Sequence, residues 1–409
     1  MTADFERYDD PEAGLELARR TREFVEEVVL PVERDLPGGT AVSEGTVSRL
    51  RSEAREYGVY APQMPEAYGG GGYSFREALP AFEQAGRSLL GPVATRVDAP
   101  DEGNMHLLEL VGDDLQREHY LEPLVAGEKR SGFSMTEPAP GAGSDPKMIE
   151  TRARREGDEW VIDGHKWWTT QGIEADFLVV LARTDPDAHP YEGSSLFLVP
   201  KEAPGVNVVR NIPHTGGGPR DVSHAEIKYD GVRVPEEHLL GEEGEGFTHV
   251  QQRLGPARLT HCMRYSGMAR RALDIAKAYL DEREGFGEPL SAKQGPRFEI
   301  AEAATRLHAA RTMVRNAANR IAAGEQARVE VSMAKVFAAN VAQDAIATAL
   351  QFTGGNGIAR DLPIADFYES VRQFRIVDGA DEVHKHVVAR DEFEDVDPDE
   401  IGPMTRFDG

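Results

Sequence analysis

The sequence predicts an α+β fold with three consecutive parts: a helical part, a β part and a second helical part. Helical periodicity covers most of the first 127 residues, short strand-like runs follow, and helical periodicity returns after Gly246. A chain of 409 residues is long enough for two or three domains with a sizeable core. We therefore expect three domains and an acidic tail, over 1–128, 129–240, 241–395 and 396–409.

The first part is predicted to be entirely helical. Apolar residues such as Leu15, Ala18, Val25 and Val28 recur near helical spacing, and Pro31 disturbs the end of that helix. The predicted helices cover 11–36, 46–58, 74–90 and 104–127.

The middle part is predicted to be a compact β domain. Its turn dipeptides, Asp163-Gly164 and Asp230-Gly231, favour hairpin turns. The strand-like runs lie at 160–162, 177–182, 196–199, 206–209 and 225–229.

The third part is predicted to form a helical bundle. In 298–323 the apolar positions step by four and three residues alternately, which is a seam suited to helix packing. The seam consists of Ala303, Leu307, Ala310, Val314, Ala317 and Ile321. Further helices are predicted over 329–352 and 380–392.

The charge balance argues against some classes of function. The formal net charge is −25, from 71 acidic and 46 basic residues, and only 9 of the basic residues are lysines. Such acidity opposes binding to nucleic-acid phosphates. It also suits a high-salt cytoplasm, where screening weakens the repulsion between like charges. We therefore expect a halophilic protein without a nucleic-acid partner, with an acidic mesophilic protein as the alternative.

Other compositional features point to a cytoplasmic protein. A single cysteine, Cys262, excludes an intrachain disulfide framework. The first ten residues have no basic and apolar pattern of a secretory signal, and no apolar run approaches the ~20 residues of a membrane span. No Cys/His cluster has the spacing of a zinc site, so no metal is expected.

Two neighbouring stretches carry candidate binding chemistry. Phe133-Ser134-Met135-Thr136-Glu137-Pro138 leads into the small-residue loop Gly141-Ala142-Gly143-Ser144-Asp145, whose backbone N–H groups can face an anion such as a pyrophosphate. The second stretch is Trp167-Trp168-Thr169-Thr170. A tryptophan beside a threonine offers a flat wall and a hydroxyl group, which suit a planar heteroaromatic ring with a polar edge.

Together with three other motifs, these stretches resemble the acyl-CoA dehydrogenase family. Residues 57–70 are similar to its Pro-Glu-x-Tyr-Gly-Gly segment, Glu282 to Gly287 to its Glu-Arg-x-x-Phe-Gly segment, and Gln351 to Gly357 to its Gln-x-x-Gly-Gly-Asn-Gly segment. Residues 101–105 and 375–384 resemble the subgroup of members ten and eleven, whose kinase domain we do not expect here. The resemblance implies an N-terminal helical domain, a central β-barrel-like domain and a C-terminal four-helix bundle.

The resemblance also implies FAD as the cofactor. Trp168 would pack on the flavin ring, Thr170 would donate to flavin N5, and a neighbouring subunit would supply Arg283, Phe286 and Gln294 to the pyrophosphate and adenosine. The protein would therefore be a homotetramer, a dimer of dimers. The remaining cofactor contacts implied are Phe133, Met135, Thr136, Gly143, Ser144, Gln351, Gly354 and Gly355.

The implied reaction needs a base for the α-proton of an acyl-CoA thioester. Where the family commonly has Glu-Gly, this chain has Asp378-Gly379, as the subgroup does. The alternative family position, on a helix just before an arginine, is here Ala257, which cannot act as a base. The expected base is thus Asp378, and a structural carboxylate is the alternative. Substrate contacts are expected from Ser144, Arg258 and Gly379, and Asp381 and Glu382 are expected to be solvated.

The sequence departs from the family pattern in two places. Ala139-Pro140 is a two-residue insertion in the glycine-rich loop, and Ala380 and Glu382 replace residues that commonly contact FAD. The function implied is α,β-dehydrogenation of an acyl-CoA to the 2-enoyl-CoA in fatty acid β-oxidation, with electrons passing to electron-transfer flavoprotein. A flavin oxidase of the same fold, acting on an acyl-CoA or a nitroalkane, is the alternative.

Overall fold

The computed structural model describes residues 4–36, 41–216, 222–394 and Val396. The remainder of the predicted acidic tail lies outside these residues. Up to Ala126 the described chain is helical, as predicted. The N-terminal helices are α1 (Glu12–Phe24), α2 (Leu30–Asp35), α3 (Glu44–Glu56), α4 (Phe75–Ala85), α5 (Gly91–Ala94), α6 (Asp101–Val111), α7 (Asp114–Gln116) and α8 (Glu122–Ala126).

The helix boundaries follow from capping groups and prolines. A π-helical turn, Val25–Val29, joins α1 to α2, and Pro31 sits in the first turn of α2, where no backbone N–H is needed. The prediction of one helix over 104–127 is wrong at Gly112. The side chain of Asp113 accepts from the backbone N–H of Gln116 at 2.7 Å and begins a new helix.

The middle part forms one eight-stranded sheet with the order β6-β7-β3-β1-β4-β5-β8, in which β2 pairs with both β3 and β4. Residues of β4 alternate between two hydrophobic cores: Val179 packs against the N-terminal helices, whereas Val180 packs within the β domain. The strands are β1 (Ser131–Ser134), β2 (Arg152–Glu156), β3 (Glu159–Thr170), β4 (Phe177–Arg183), β5 (Ser194–Pro200), β6 (Val206–Asn211), β7 (His224–Pro235) and β8 (Leu239–Leu240).

Both predicted hairpin turns in this domain are wrong. Asp163-Gly164 lies inside β3, and Asp230-Gly231 lies inside β7. These two strands pair with each other, and their register shifts next to Gly164. The two dipeptides therefore form an irregularity within one long antiparallel pair. The β2–β3 hairpin turns instead at Gly157-Asp158, where Gly157 has a φ of +66°.

The third part is a helical bundle. The predicted seam of α10 is confirmed, because its first five residues are buried against neighbouring helices and Ile321 packs at the edge of the same core. A short hairpin of β9 (Glu284–Gly285) and β10 (Glu288–Pro289) interrupts the helices. They are α9 (Gly246–Glu282), α10 (Gln294–Ala322), α11 (Arg328–Thr353), α12 (Gly355–Ile358), α13 (Ile364–Gln373) and α14 (Asp381–Glu394).

The bundle meets the rest of the molecule along α9. This helix packs against α10, α11 and α13 in the bundle, against α4 and α6 in the N-terminal part, and against β5. Groups from all three parts of the chain are thereby brought near the middle of α9. No helix in the described ranges combines the length and apolarity that a membrane span requires.

Candidate active site

Two predicted cofactor residues, Phe133 and Thr170, lie opposite each other in the sheet. β1 is flanked by β3 and β4, and its antiparallel register with β3 pairs Phe133 directly with Thr170. The backbone N–H of Trp167 also donates to the carbonyl oxygen of Thr136 at 2.9 Å. The two stretches singled out in the sequence therefore form one continuous surface.

A buried ion pair holds this surface together. Nζ of Lys166 donates to Oε1 of Glu137 at 2.9 Å and to the carbonyl oxygen of Met135 at 2.7 Å. The Glu137 carboxylate also accepts from the backbone N–H groups of Glu150 and Thr151, at 2.7 and 2.9 Å. The sequence does not predict this ion pair, because Lys166 and Glu137 are 29 positions apart and no local pattern links them.

The charge states of this pair follow from its surroundings. Burial raises the pKa of the Glu137 carboxyl, but the Lys166 ammonium and the Thr151 and Glu150 donors outweigh it and hold that pKa below its ordinary value. Burial lowers the pKa of Lys166 to about 8, and the attraction of Glu137 only partly opposes this. Glu137 is thus the firmly ionised member of the pair.

The predicted anion loop is open to solvent beyond this anchor. Gly143 and Ser144 are exposed, and a Cβ atom at Gly143 would meet no other atom within 4 Å. The inserted residues Ala139 and Pro140 are also exposed. The insertion is accommodated in a surface turn, because the backbone N–H of Glu137 still donates to the carbonyl oxygen of Ala142 at 2.7 Å.

Trp168 projects from β3 in an unusual backbone conformation. Its φ is +55°, a left-handed value that is costly for a bulky residue, and its side chain is 41% exposed. A large aromatic ring held out in this way provides an open flat face. The arrangement suits the flavin ring that the resemblance assigns to Trp168.

The Thr170 hydroxyl has a histidine partner that the sequence did not indicate. Oγ1 of Thr170 lies 3.1 Å from Nδ1 of His224, whose ring centroid lies 5.8 Å from that of Trp168 and 4.4 Å from that of His214. Burial, together with the neighbouring His214, lowers the pKa of His224 to about 4. A neutral imidazole therefore stands beside Thr170 at neutral pH.

The predicted base, Asp378, lies in the turn between α13 and α14 with a left-handed φ of +56°. Its carbonyl oxygen accepts from Nε of Arg258 at 2.8 Å and lies 3.1 Å from Nε2 of His384. Nζ of Lys335 donates to the next carbonyl oxygen, that of Gly379, at 2.7 Å. Three side chains, from α9, α11 and α14, therefore fix the backbone of this turn.

The side chain of Asp378 faces α9. Its Oδ2 is buried, accepts no hydrogen bond from the residues that the structure describes, and lies 3.1 Å from Nδ1 of His261. Burial opposes ionisation of Asp378, but His261, Arg253 and Arg258 outweigh it and hold its pKa below the ordinary value. The site thus contains an ionised carboxylate with an uncommitted oxygen, which is what a general base requires.

The expectation that Asp381 is solvated is wrong. Its side chain is buried and accepts from Nε of Arg375 at 2.8 Å and from Nδ2 of Asn340 at 3.0 Å. These donors replace the water that a carboxylate would otherwise need. Asp381 therefore supports the turn that carries Asp378, whereas Glu382 is exposed as expected.

The other predicted cofactor residues lie far in space from Asp378 of the same subunit. Arg283 ends α9 and lies 25 positions after Arg258, so about 38 Å of helix separates the two. Phe286 is 96% exposed on the β9–β10 hairpin, and Gln294 is exposed at the start of α10. These three residues lie together at the opposite end of α9 and do not join the site of their own chain.

Gln351, Gly354 and Gly355 lie at the end of α11. Lys335, which contacts the Asp378 turn, lies 16 positions earlier on the same helix, or about 24 Å away. Gln351, Gly354 and Gly355 are all exposed, and Gly354 has a φ of +58° with a ψ of −134°, a conformation that requires glycine. The predicted residues thus fall into the strand surface at β1 and β3, the turn at Asp378, and two remote exposed groups.

Comparison with known proteins identifies the class. Family descriptions of the acyl-CoA dehydrogenase N-terminal, middle and C-terminal domains match residues 11–128, 132–232 and 244–393. The chain belongs to the acyl-CoA dehydrogenase family. This membership confirms the predicted family, the predicted fold and the oxidoreductase class, and it confirms FAD as the cofactor.

Particular relatives place the chain within the family. It is 40% identical to the acyl-CoA dehydrogenase FadE2 of Mycobacterium tuberculosis, over 85% of each chain. It is 34% identical to mouse acyl-CoA dehydrogenase family member 10 over 90% of this chain, which spans only 36% of that relative. The solved butyryl-CoA dehydrogenase of Megasphaera elsdenii is 27% identical with a TM-score of 0.82, covering 94% of this chain and 99% of that one.

Proposed function

We propose that this protein is an FAD-dependent acyl-CoA dehydrogenase that converts an acyl-CoA thioester to its 2-enoyl-CoA. The observation that carries the proposal is the uncommitted, buried Oδ2 of an ionised Asp378, at the junction of α9, α11 and α14. A carboxylate in that state can accept the α-proton of a thioester. Bound FAD would supply the acceptor for the hydride from Cβ, so that the substrate would lose one proton and one hydride and gain a C=C bond.

The chain's own groups have separate tasks in this reaction. Asp378 accepts the α-proton, and Arg258 positions it by holding its carbonyl oxygen. Arg258, with Gly379 and Ser144, is also proposed to contact the substrate. Closure of the site by substrate removes water and weakens the stabilisation of the Asp378 anion, which raises its pKa and makes it a stronger base.

The proposed cofactor contacts fall into two sets. The exposed Trp168 face, the Thr170 hydroxyl and the open loop at Gly143 and Ser144 favour a flavin and its phosphates along β1 and β3. The second set, at the far ends of α9 and α11, is proposed to serve the FAD of a neighbouring subunit. The first set also includes Phe133, Met135 and Thr136, and the second comprises Arg283, Phe286, Gln294, Gln351, Gly354 and Gly355.

Several broader properties are proposed with this function. The separation of about 38 Å between Arg258 and Arg283 favours a homotetramer, in which one subunit completes another's site. The net charge of −25 favours a halophilic protein. Electron-transfer flavoprotein is the proposed acceptor, and fatty acid β-oxidation the proposed pathway. The cytoplasmic location and the domain boundaries at 128 and 240 stay predictions from the sequence.

The test is a turnover screen with acyl-CoAs of graded chain length and branching, using ferrocenium or electron-transfer flavoprotein as the acceptor. We expect the purified protein to be yellow and to be reduced by at least one acyl-CoA without added catalyst. A folded protein with bound FAD that no acyl-CoA reduces would contradict the proposal.

A flavin oxidase remains the second candidate, because the base is an aspartate. By resemblance, nitroalkane oxidases of this fold also use an aspartate, so Asp378 is compatible with either activity. Oxygen separates the two: an oxidase reduced by an acyl-CoA or a nitroalkane forms hydrogen peroxide without another acceptor. We expect slow peroxide formation and fast ferrocenium reduction, and the reverse order would favour the oxidase.

A further inference from the structure

A histidine that the sequence did not single out lies beside the proposed base. Nδ1 of His261 lies 3.1 Å from Oδ2 of Asp378 and 2.8 Å from the carbonyl oxygen of Ala257, one helical turn earlier on α9. A carbonyl oxygen only accepts hydrogen bonds, so Nδ1 carries the proton. One N–H group therefore stands within reach of two acceptors, the Ala257 carbonyl and the Asp378 carboxylate.

The ring of His261 is held in place by aromatic neighbours. It stacks on Phe374 with a centroid distance of 5.7 Å and an angle of 20°, and lies 6.3 Å from the ring of Tyr265. Its side chain is only 13% exposed. The ring is thus held with Nδ1 close to both acceptors, and a small rotation of the Asp378 carboxylate would bring Oδ2 into line with the Nδ1–H.

We propose that His261 is a positioning residue for Asp378, which shares its Nδ1–H between Ala257 and the carboxylate and so fixes the orientation and basicity of the base. This inference rests on the proposed function. Asp378 has one methylene fewer than the glutamate common in the family, so its carboxylate cannot reach as far from its own backbone. A donor on the opposite helix compensates by defining where the carboxylate stands before the substrate arrives.

The surroundings of the pair determine which of its members is charged. The titratable and charged groups that face it are Arg253, Arg258, Cys262, Arg264 and Tyr265 from α9, Lys335 from α11 and His384 from α14. Burial, reinforced by Arg264, lowers the pKa of His261 to about 4. Burial raises the pKa of the Cys262 thiol to about 12, so that thiol stays neutral. At neutral pH the pair is therefore a neutral imidazole beside an anionic carboxylate, as donation from Nδ1 requires.

The test compares His261→Phe with His261→Asn. Phenylalanine keeps the stacking on Phe374 and removes the donor, whereas asparagine places an amide N–H close to the position of Nδ1. The readout is the rate of flavin reduction by an acyl-CoA over a range of pH, measured by rapid mixing on protein with full FAD content. We expect the acid limb of the His261→Phe profile to move to higher pH, because the carboxylate anion has lost a donor.

We also expect the limiting rate of His261→Phe to fall about ten- to a hundredfold, the range for a hydrogen bond to a charged group. His261→Asn should recover much of the rate and return the acid limb toward that of the wild type. A merely structural histidine would lower thermal stability or FAD content and leave the pH profile of the folded fraction in place, which would overturn the inference. If His261→Phe and His261→Asn both fail to fold, His261 is structural and the inference is also overturned.

Flavin reduction measured on the wild type separates this inference from the proposed function. Absence of reduction of the wild type by every acyl-CoA would overturn the proposed function, and the inference with it. Normal reduction of the wild type, with an unshifted profile in His261→Phe and loss of reduction in Asp378→Asn, would overturn the inference alone.

Discussion

The Lys166 ammonium and the Glu137 carboxylate form a salt bridge of 2.9 Å in which both side chains are almost completely buried. The pair joins β3 to the segment that leaves β1, and Glu137 additionally fixes the backbone at residues 142, 150 and 151. Nearly every contact of Glu137 therefore serves to shape the proposed flavin surface. Their mutual attraction explains how Lys and Glu can occupy positions that solvent does not reach.

The first prediction concerns removal of one partner of this pair. Lys166→Met should destabilise the protein by about 3–5 kcal/mol, because it leaves a buried carboxylate without its counter-charge. Denaturant unfolding of the FAD-bound protein measures the change. The matched control is Arg154→Met in the exposed Arg154–Glu156 pair, where we expect almost no change. Equal effects of the two substitutions would contradict the buried pair's role.

The second prediction concerns the pH dependence of the same contact. The folded pKa of Glu137 is below its ordinary value of 4.5, so its contribution to stability is fully present above that pH and is lost as the pH falls. The stability difference between the wild type and Glu137→Gln should therefore shrink as the pH falls below 4.5. Thermal melts of both proteins between pH 5 and pH 3 measure it. A difference that grows over this range would contradict the assignment of Glu137 as ionised.

The sequence allowed the three-part order to be predicted, because helical and strand periodicities are local properties. The seam from Ala303 to Val314 was recognisable for the same reason. The hairpin turn predicted at Asp163-Gly164 was wrong, because a dipeptide that favours such a turn also suits a bulge within a longer strand. Only the pairing partner, here β7, distinguishes the two.

The candidate site could be inferred from the sequence only in part, for a related reason. Motif resemblance supplied Asp378 and Thr170, but not His261 and His224, the histidines that stand beside them. His261 lies 117 positions before Asp378, and His224 lies 54 positions after Thr170, so neither contact has a local signal. Burial was equally hidden: nothing in the sequence around Asp381 shows that Arg375 and Asn340 converge on it.

The third prediction concerns the remote group of cofactor residues. Arg283→Ala should weaken FAD binding about ten- to a hundredfold, because a guanidinium that pairs with a pyrophosphate contributes a charge-assisted hydrogen bond. The control is Arg297→Ala, at another exposed arginine in the first turns of α10, which should leave FAD affinity unchanged. Calorimetric titration of the apoprotein with FAD measures the affinity, and light scattering gives the oligomeric state. An FAD-bound monomer would contradict the shared-site arrangement.

The fourth prediction concerns salt. The net charge of −25 repels itself in the folded protein, and ions screen that repulsion more strongly as their concentration rises. We expect the melting temperature to rise from low to molar KCl. Melting temperatures that stay level or fall over this range would support an acidic mesophilic protein instead.

The fifth prediction concerns the base itself. Asp378→Asn should retain FAD and fold normally, because the amide is nearly isosteric with the carboxylate and the contacts of Arg258 and His384 are to the backbone carbonyl of this residue. Flavin reduction by an acyl-CoA should slow by at least ~100-fold, the lower limit for loss of a general base. Rapid mixing under anaerobic conditions measures the rate.

Asp378→Glu provides the sharper comparison. Its carboxylate reaches one methylene further and meets Nδ1 of His261, which lies only 3.1 Å from the present Oδ2. Because the left-handed turn and the three side chains that hold it are unchanged, we expect the glutamate variant to remain active, with a rate well above that of Asp378→Asn. If Asp378 were only a structural carboxylate, both variants would lose stability while their folded fractions were reduced at the wild-type rate. Near-native reduction of Asp378→Asn would therefore remove Asp378 from the reaction, whereas activity in Glu and its absence in Asn would identify the carboxylate as the proton acceptor.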